Sequence, residues 1–179
     1  MYQNYMTAQD LPFLESDRII FKLYACEEHL KNLKNIKSKY GDLLAKAARV
    51  NAELETDSFI SQLYGVFDSV FLKINDRLQL GIPTDKMDIY RVLTSLSAET
   101  KGVELAHELN QANFSGNLYW MIKRLRNYSL QGSVLSANPS LLMHGSRFTY
   151  NEVIPYFEHL LGELRTFIEN MRQKESGLL

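Results

Sequence analysis

The amino-acid sequence predicts an all-α protein, an antiparallel bundle of five to six helices with one long loop between the last two helices. Hydrophobic residues recur at spacings of three and four along most of the chain, which is typical of amphipathic helices. The stretch 131–149 lacks that period and contains Gly132, Pro139 and Gly145, which favour a loop. A length of 179 residues suits one domain, and we predict a single domain over residues 1–179.

The first predicted helix begins near Ser16 or Asp17 and ends near Gly41. Its apolar stripe comprises Ile19, Leu23, Cys26, Leu30 and Leu33, and is roughly continued by Ile36 and Tyr40. Serine and aspartate are favoured N-caps because their side-chain oxygens accept hydrogen bonds from free backbone N–H groups. Glycine readily takes the left-handed conformation that ends many helices.

Residues 42–80 contain two periodic stretches. The first comprises Leu43, Ala47, Val50 and Leu54, and the second comprises Ile60, Leu63, Phe67, Val70, Phe71, Ile74 and Leu78. At about 100° per residue, Leu54 and Leu63 fall on opposite sides of a continuous helix. Either the helix breaks at 56–58, or one long helix changes its packing partners midway. We favour the long helix, which ends before Gly81 and Pro83.

Three more helices follow. Thr84 or Asp85 is expected to cap a helix with Ile89, Val92, Leu93 and Leu96 on its apolar face. Gly102 weakens its continuation through Val103, Ala106 and Leu109. Asn113 or Ser115 is expected to begin the next helix, whose apolar face comprises Leu118, Met121, Ile122 and Leu125.

The last helix has the clearest apolar stripe. It comprises Phe157, Leu160, Leu161, Leu164, Phe167, Ile168 and Met171. Thr149 and Glu152 have the spacing of a capping box, whereas a cap at Asn151 places Pro155 nearer the first turn, where proline is tolerated.

The composition excludes several classes of protein. A hydrophobic content of 45% and a charged content of 23% are those of a globular domain. A single cysteine, Cys26, excludes an internal disulfide framework. The N-terminus lacks the pattern of a secretory signal, and no uncharged apolar run approaches the ~20 residues of a membrane span. We therefore predict a cytoplasmic protein with no membrane association.

Familiar catalytic and metal-binding signatures are missing from the sequence. The four histidines are far apart, at His29, His107, His144 and His159, and we interpret the helical ones as surface or boundary residues. Cys26 lies within a core stripe and is expected to act as a small hydrophobe. We predict no metal site and no cofactor.

The formal net charge of −1 hides a charge asymmetry. Residues 110–151 contain no Asp or Glu but include Lys123, Arg124, Arg126 and Arg147, so this stretch carries +4 and the remainder −5. A basic surface beside polar side chains suits RNA or another phosphate-bearing ligand. Alternatively, these cations face acidic helices in the same chain or in another chain.

The helix near Leu118 has an unusual polar side. At about 100° per residue, Tyr119 and Arg126 lie at the edge of its apolar face, while Trp120, Lys123, Arg124 and Asn127 lie on the far side. A tryptophan among cations either stacks on a base or lies in a subunit interface. We favour the interface, and predict a homodimer in which Trp120 and Tyr119 are interface residues.

The run Ile122-Lys123-Arg124-Leu125-Arg126-Asn127-Tyr128 at the end of an apolar helix resembles the signature of HEPN domains. The resemblance covers roughly 59–132. It implies a small all-α bundle, commonly dimeric, of a family in which many members are metal-independent ribonucleases of toxin–antitoxin, phage-defence or RNA-processing systems. The family signature is an Arg, often followed by a polar residue, with a His after four to six intervening residues.

This chain departs from the HEPN signature at the histidine. Arg126 and Asn127 match, but the three positions where the histidine would fall are Gln131, Gly132 and Ser133. The resemblance implies that the arginine stabilises phosphate charge and that the histidine assists attack by the 2′-hydroxyl. Glutamine cannot act as a general base, and His144 in the following loop is the remaining candidate.

These observations predict a non-catalytic, HEPN-like protein that binds RNA or a nucleotide-like phosphate ligand through Lys123, Arg124, Arg126 and Arg147. The first alternative is an atypical metal-independent ribonuclease using Arg126, Asn127 and His144, or a partner's residue. The second is an interaction module without nucleic-acid binding, whose basic face meets an acidic protein, for example one encoded in the same operon.

Overall fold

The computed structural model describes residues 17–98, 102–137 and 152–174. These residues form six α-helices and no β-strand: α1 Arg18–Tyr40, α2 Arg49–Leu78, α3 Ile89–Ala98, α4 Val103–Asn113, α5 Leu118–Ser129 and α6 Val153–Lys174. The predicted all-α class is confirmed. Within the three described ranges, no helix has both the length and the apolarity that a membrane crossing requires.

Both predicted ends of α1 are confirmed. The Asp17 carboxylate accepts hydrogen bonds from the backbone N–H groups of Ile19 and Ile20, at 3.0 and 3.3 Å. Gly41 has a φ of +76°, and its N–H donates to the Lys37 carbonyl at 2.8 Å. A side chain at Gly41 would strain this backbone conformation.

Residues 49–78 form one continuous helix, so the favoured long helix is confirmed and the alternative, a break at 56–58, does not occur. The buried stripe runs through Ala52, Thr56, Phe59, Ile60, Leu63, Val66, Phe67, Val70, Phe71 and Ile74. The first periodic stretch is not a buried stripe, because only Leu43 is buried, while Ala47, Val50 and Leu54 are exposed. A straight helix that buries Phe59 and Leu63 must present Ala52 and Thr56 on that face, which turns Leu54 outward.

Two predicted helix starts are corrected. The Thr84–Lys86 segment forms a short 3-10 turn, and α3 is capped by Asp88, whose carboxylate accepts from the Arg91 N–H at 2.9 Å. The next helix, α5, begins after Asn117 rather than at Asn113 or Ser115, because Asn113 is still the last residue of α4 and Ser115 lies in the turn between the helices. Polar residues near both junctions were all plausible caps, and local sequence alone does not rank them.

The last helix is as predicted, with all seven residues of its apolar stripe buried. Pro155 lies in the first turn, where its missing N–H costs little. The predicted caps at Thr149 and Asn151, and most of the predicted loop, lie outside the described residues.

The long helices pack in antiparallel pairs. Along α1 and α2, the Cys26 Sγ lies 3.9 Å from the Phe59 carbonyl, and His29 Nδ1 lies 2.7 Å from Glu55 Oε2. Along α1 and α6, four ion pairs join Asp17–Arg172, Glu27–Arg165, Lys34–Glu158 and Lys37–Glu152. Such partly exposed pairs contribute little individually, so stability rests on the buried side chains, which form one cluster.

Candidate nucleic-acid interface

The cations of α5 point to two different flanks of the helix. At about 100° per residue, Lys123 and Arg126 are about 60° apart, whereas Arg124 is about 160° from Arg126. Lys123 and Arg126 contact tyrosines of α2, α3 and α5, while Arg124 covers the ring of Trp120 on the other flank. The structure therefore brings Lys123 and Arg126 together and separates Arg124 from them.

Arg126 lies on a pair of tyrosines that joins α2 to α5. Its guanidinium carbon is 4.5 Å from the Tyr64 ring centroid, and the Tyr64 and Tyr119 hydroxyl oxygens are 3.5 Å apart. Tyr119 is 1% exposed, and its ring packs edge-on against Phe67 with centroids 5.0 Å apart. This predicted interface residue is therefore buried inside its own chain, where burial and the hydrogen bond with Tyr64 raise the pKa of its hydroxyl.

Lys123 lies between a buried ring and an exposed one. Its ammonium nitrogen is 5.9 Å from the Tyr119 centroid and 5.6 Å from the centroid of Tyr90 on α3. Tyr90 is 60% exposed. An exposed aromatic face beside a cation can stack on a base while the cation contacts a phosphate.

A third cation reaches this region from α1. Gly65 of α2 is buried, and a Cβ there would lie 2.5 Å from the ammonium nitrogen of Lys22, so the Lys22 side chain crosses α2 at this glycine. Asp68, one turn further on, is exposed to solvent. The pKa of Asp68 is raised because partial desolvation of its carboxyl outweighs the nearby charges of Lys22 and Arg126.

Sequence reasoning missed Lys22, Tyr64, Asp68 and Tyr90. One local signal was present, since glycine is disfavoured inside a helix and Gly65 interrupts an apolar stretch. A helical glycine often marks a close approach by another group, which is the position that Lys22 occupies.

The opposite flank of α5 is partly covered. Trp120 is half-buried against the core, and the Arg124 guanidinium carbon lies 5.3 Å from its ring centroid. Burial raises the pKa of Tyr156 on α6 to about 12, even though the charge of Arg124 acts in the opposite direction. The far side of α5 is therefore partly covered at Trp120, which packs against the core and has the Arg124 guanidinium over its ring. Its predicted place in a subunit interface stays a prediction. Asn127 is exposed.

The other predicted candidates have no place in this cluster. Cys26 is buried, and burial raises the pKa of its thiol to about 12, so it is unreactive at neutral pH. His29 is half-buried beside Glu55. Within the part of the chain that the structure describes, no three His, Cys, Asp or Glu residues are grouped as metal ligands. His144 and Arg147 lie outside the described residues.

No family model matches this chain, and neither a curated protein nor a solved structure matches it. The resemblance to HEPN domains stays a prediction that rests on the sequence of α5 and the order of the helices.

The cluster combines positive charge with aromatic surface. We call it the cation–tyrosine face and define it by six residues: Lys22, Tyr64, Asp68, Tyr90, Lys123 and Arg126. Three cations and one carboxylate give it a formal charge of +2. Its cations come from α1 and α5, its exposed ring comes from α3, and α2 separates the two sources of cations.

Proposed function

We propose that this protein binds single-stranded RNA, or a nucleotide-like phosphate ligand, at the cation–tyrosine face without cleaving it. The observation that carries the proposal is the placement of Lys123 and Arg126 over tyrosine rings beside the exposed ring of Tyr90. Among the described residues, neither cation lies within ion-pair distance of a carboxylate. Within this part of the chain, neither charge is therefore held in an ion pair, although Asp68 lies near enough to Arg126 for the two charges to interact.

The cations of α1 and α6 make a useful contrast. Lys34, Lys37 and Arg165 each pair with a glutamate between α1 and the α6 region, so these three charges already have partners. A polyanion binds more tightly to cations that have no carboxylate partner, because each phosphate contact that it makes with them releases condensed counterions. This favours the cation–tyrosine face over the other lysine-rich surface.

The proposal includes the HEPN-like type and a cytoplasmic location. Arg126, the arginine that matches the HEPN signature, belongs to the proposed face, and Asn127 beside it is exposed. The cytoplasm is a reducing compartment that holds RNA and keeps a thiol such as Cys26 reduced.

Binding is tested by its salt dependence. If three cations contact phosphates, a plot of log K against log salt concentration should have a slope of about −2. The affinity should then fall about 20-fold between about 50 and about 200 mM salt. The measurement is fluorescence anisotropy with a labelled RNA of about 12 nucleotides, which suits a single-stranded site. Failure to bind at low salt, or binding that is insensitive to salt, would contradict the proposal.

We expect no ribonuclease activity from the wild-type protein in the presence of a chelator. Positioned acid–base catalysis contributes about 10²–10⁴-fold, and the described cation–tyrosine face contains no imidazole. Gln131→His would restore the HEPN spacing. His144→Ala is the control for this prediction. If the wild type cuts RNA and this variant does not, the prediction is wrong and the protein is the atypical ribonuclease.

A further inference from the structure

The N-terminal part of α2 has an apolar face that no described residue covers. Val50 is 72% exposed and Leu54 is 62% exposed. These side chains are four residues apart and therefore adjacent on the helix surface. Ala47 and Leu44, in the turn before α2, are also exposed and extend the apolar area. Single exposed aliphatic residues are ordinary, but a continuous group on one face indicates an interaction surface.

Opposite charges lie at the two ends of this apolar face. Lys46 precedes it and Asp57 follows it, and both residues are exposed. At about 100° per residue, Asp57 falls about 20° from Val50 on α2. Lys46 lies in the turn that leads into α2, which is closed by the bond from the Arg49 N–H to the Ala45 carbonyl at 3.0 Å. Within the described ranges, neither Lys46 nor Asp57 lies within ion-pair distance of an opposite charge.

The neighbouring charges already have partners. Arg49 donates a hydrogen bond to the Ser136 hydroxyl at 2.8 Å and lies 4.0 Å from Glu53, which accepts a hydrogen bond from Ser133. Partial burial, with repulsion from Glu53, raises the pKa of the Asp57 carboxyl. A cation placed beside Asp57 would stabilise its ionised form.

We propose that a second copy of this chain docks on this face, with the two α2 helices antiparallel about a two-fold axis near residue 52. Val50 of each copy then packs against Leu54 of the other copy. Lys46 lies at the end of the interface where the other copy presents Asp57, and the symmetry makes this ion pair twice. The surface is thus complementary to itself in shape and in charge.

The size of the face predicts a weak dimer. Two helices that meet through a few aliphatic side chains bury less than the ~1,200 Å² of a standard interface, and such complexes are weak or transient. The cation–tyrosine face begins on α2 at Tyr64, seven residues beyond Asp57, about 10 Å along the helix.

Sedimentation equilibrium of the full chain between about 5 and about 200 µM tests the dimer in the concentration range of weak interfaces. We expect the wild type to show a monomer–dimer equilibrium and Val50→Asp to remain monomeric. The matched control is Val103→Asp, at another exposed valine on α4, which should dimerise as the wild type does. A wild type that is monomeric throughout, or a dimer that survives Val50→Asp, would overturn the proposal.

Charge reversal tests the antiparallel arrangement. Lys46→Glu and Asp57→Lys should each weaken self-association, because like charges then face each other at both ends of the interface. An equimolar mixture of the two variants should associate more strongly than either alone, because the introduced glutamate faces the introduced lysine. No gain on mixing would overturn the two-fold geometry.

Discussion

Phe157→Ala is expected to lower the free energy of unfolding by about 3–5 kcal/mol, the usual cost of removing a buried phenylalanine ring. Phe157 of α6 is fully buried and stacks on Phe59 of α2, with ring centroids 4.4 Å apart and planes inclined by 21°. The substitution removes the ring of α6 from this stack and leaves a cavity. The total free energy of unfolding of a protein domain is about 5–15 kcal/mol, so this loss is a large part of it.

Urea denaturation followed by circular dichroism measures this loss, and the m-value checks that unfolding stays two-state. The matched control is Phe114→Ala, because Phe114 is exposed in the turn between α4 and α5. It should change the free energy of unfolding by no more than about 0.5 kcal/mol. Equal losses in the two variants would contradict the packing described between α2 and α6.

Lys123→Glu with Arg126→Glu is expected to weaken RNA binding about 100-fold or more. Hydrogen bonds to charged groups contribute about 1.5–3 kcal/mol each, and about 1.4 kcal/mol corresponds to a tenfold change in Kd. The slope of log K against log salt should also become shallower, to about −0.7, because only Lys22 remains to contact a phosphate. Anisotropy with the same labelled RNA gives both quantities.

The matched control for this variant is Lys31→Glu with Lys34→Glu, which makes the same change in net charge. These lysines lie on α1 and already pair with Glu28 and Glu158. If binding depends on a local site, the control should retain nearly all affinity. Equal losses in the two double variants would show that only net charge matters.

Tyr90→Ala separates stacking from charge. The residue is 60% exposed, so its removal leaves the core intact. Base–aromatic stacking contributes about 1–3 kcal/mol, and we expect a corresponding loss of affinity with an unchanged salt slope. If Tyr90→Ala instead changed only the slope of log K against log salt concentration, the ring would serve only to position Lys123.

Most of the helical architecture could be predicted because helix formation leaves a local record in the sequence. The stripe of Phe157 to Met171 and the cap at Asp17 follow from side-chain spacing and from hydrogen bonds within a few residues. Errors occurred where several local signals compete. Asn113, Ser115 and Asn117 are all plausible caps, and the exposed Val50 and Leu54 have the spacing of a buried stripe.

The candidate site could be predicted only in part. The cations Lys123 and Arg126 were identified from a stretch without acidic residues, which is visible in the sequence. Arg124 was grouped with them because it is adjacent in sequence, yet side chains two residues apart point to different sides of a helix. The positions of Trp120 and Tyr119 depended on which neighbours cover α5, and the periodicity of one helix carries no information about its neighbours.

The sequence by itself determined that this chain forms amphipathic helices and that residues 110–151 carry positive charge without any acidic residue. Only the tertiary structure decided which groups surround that charge. Lys22 and Arg126 are 104 residues apart in the sequence, yet the charge of each lowers the pKa of the Asp68 carboxyl. They come close to it because α1 and α5 both pack against α2. Helix periodicity is set by the backbone within one turn, whereas contacts between helices depend on how separate apolar faces fit together.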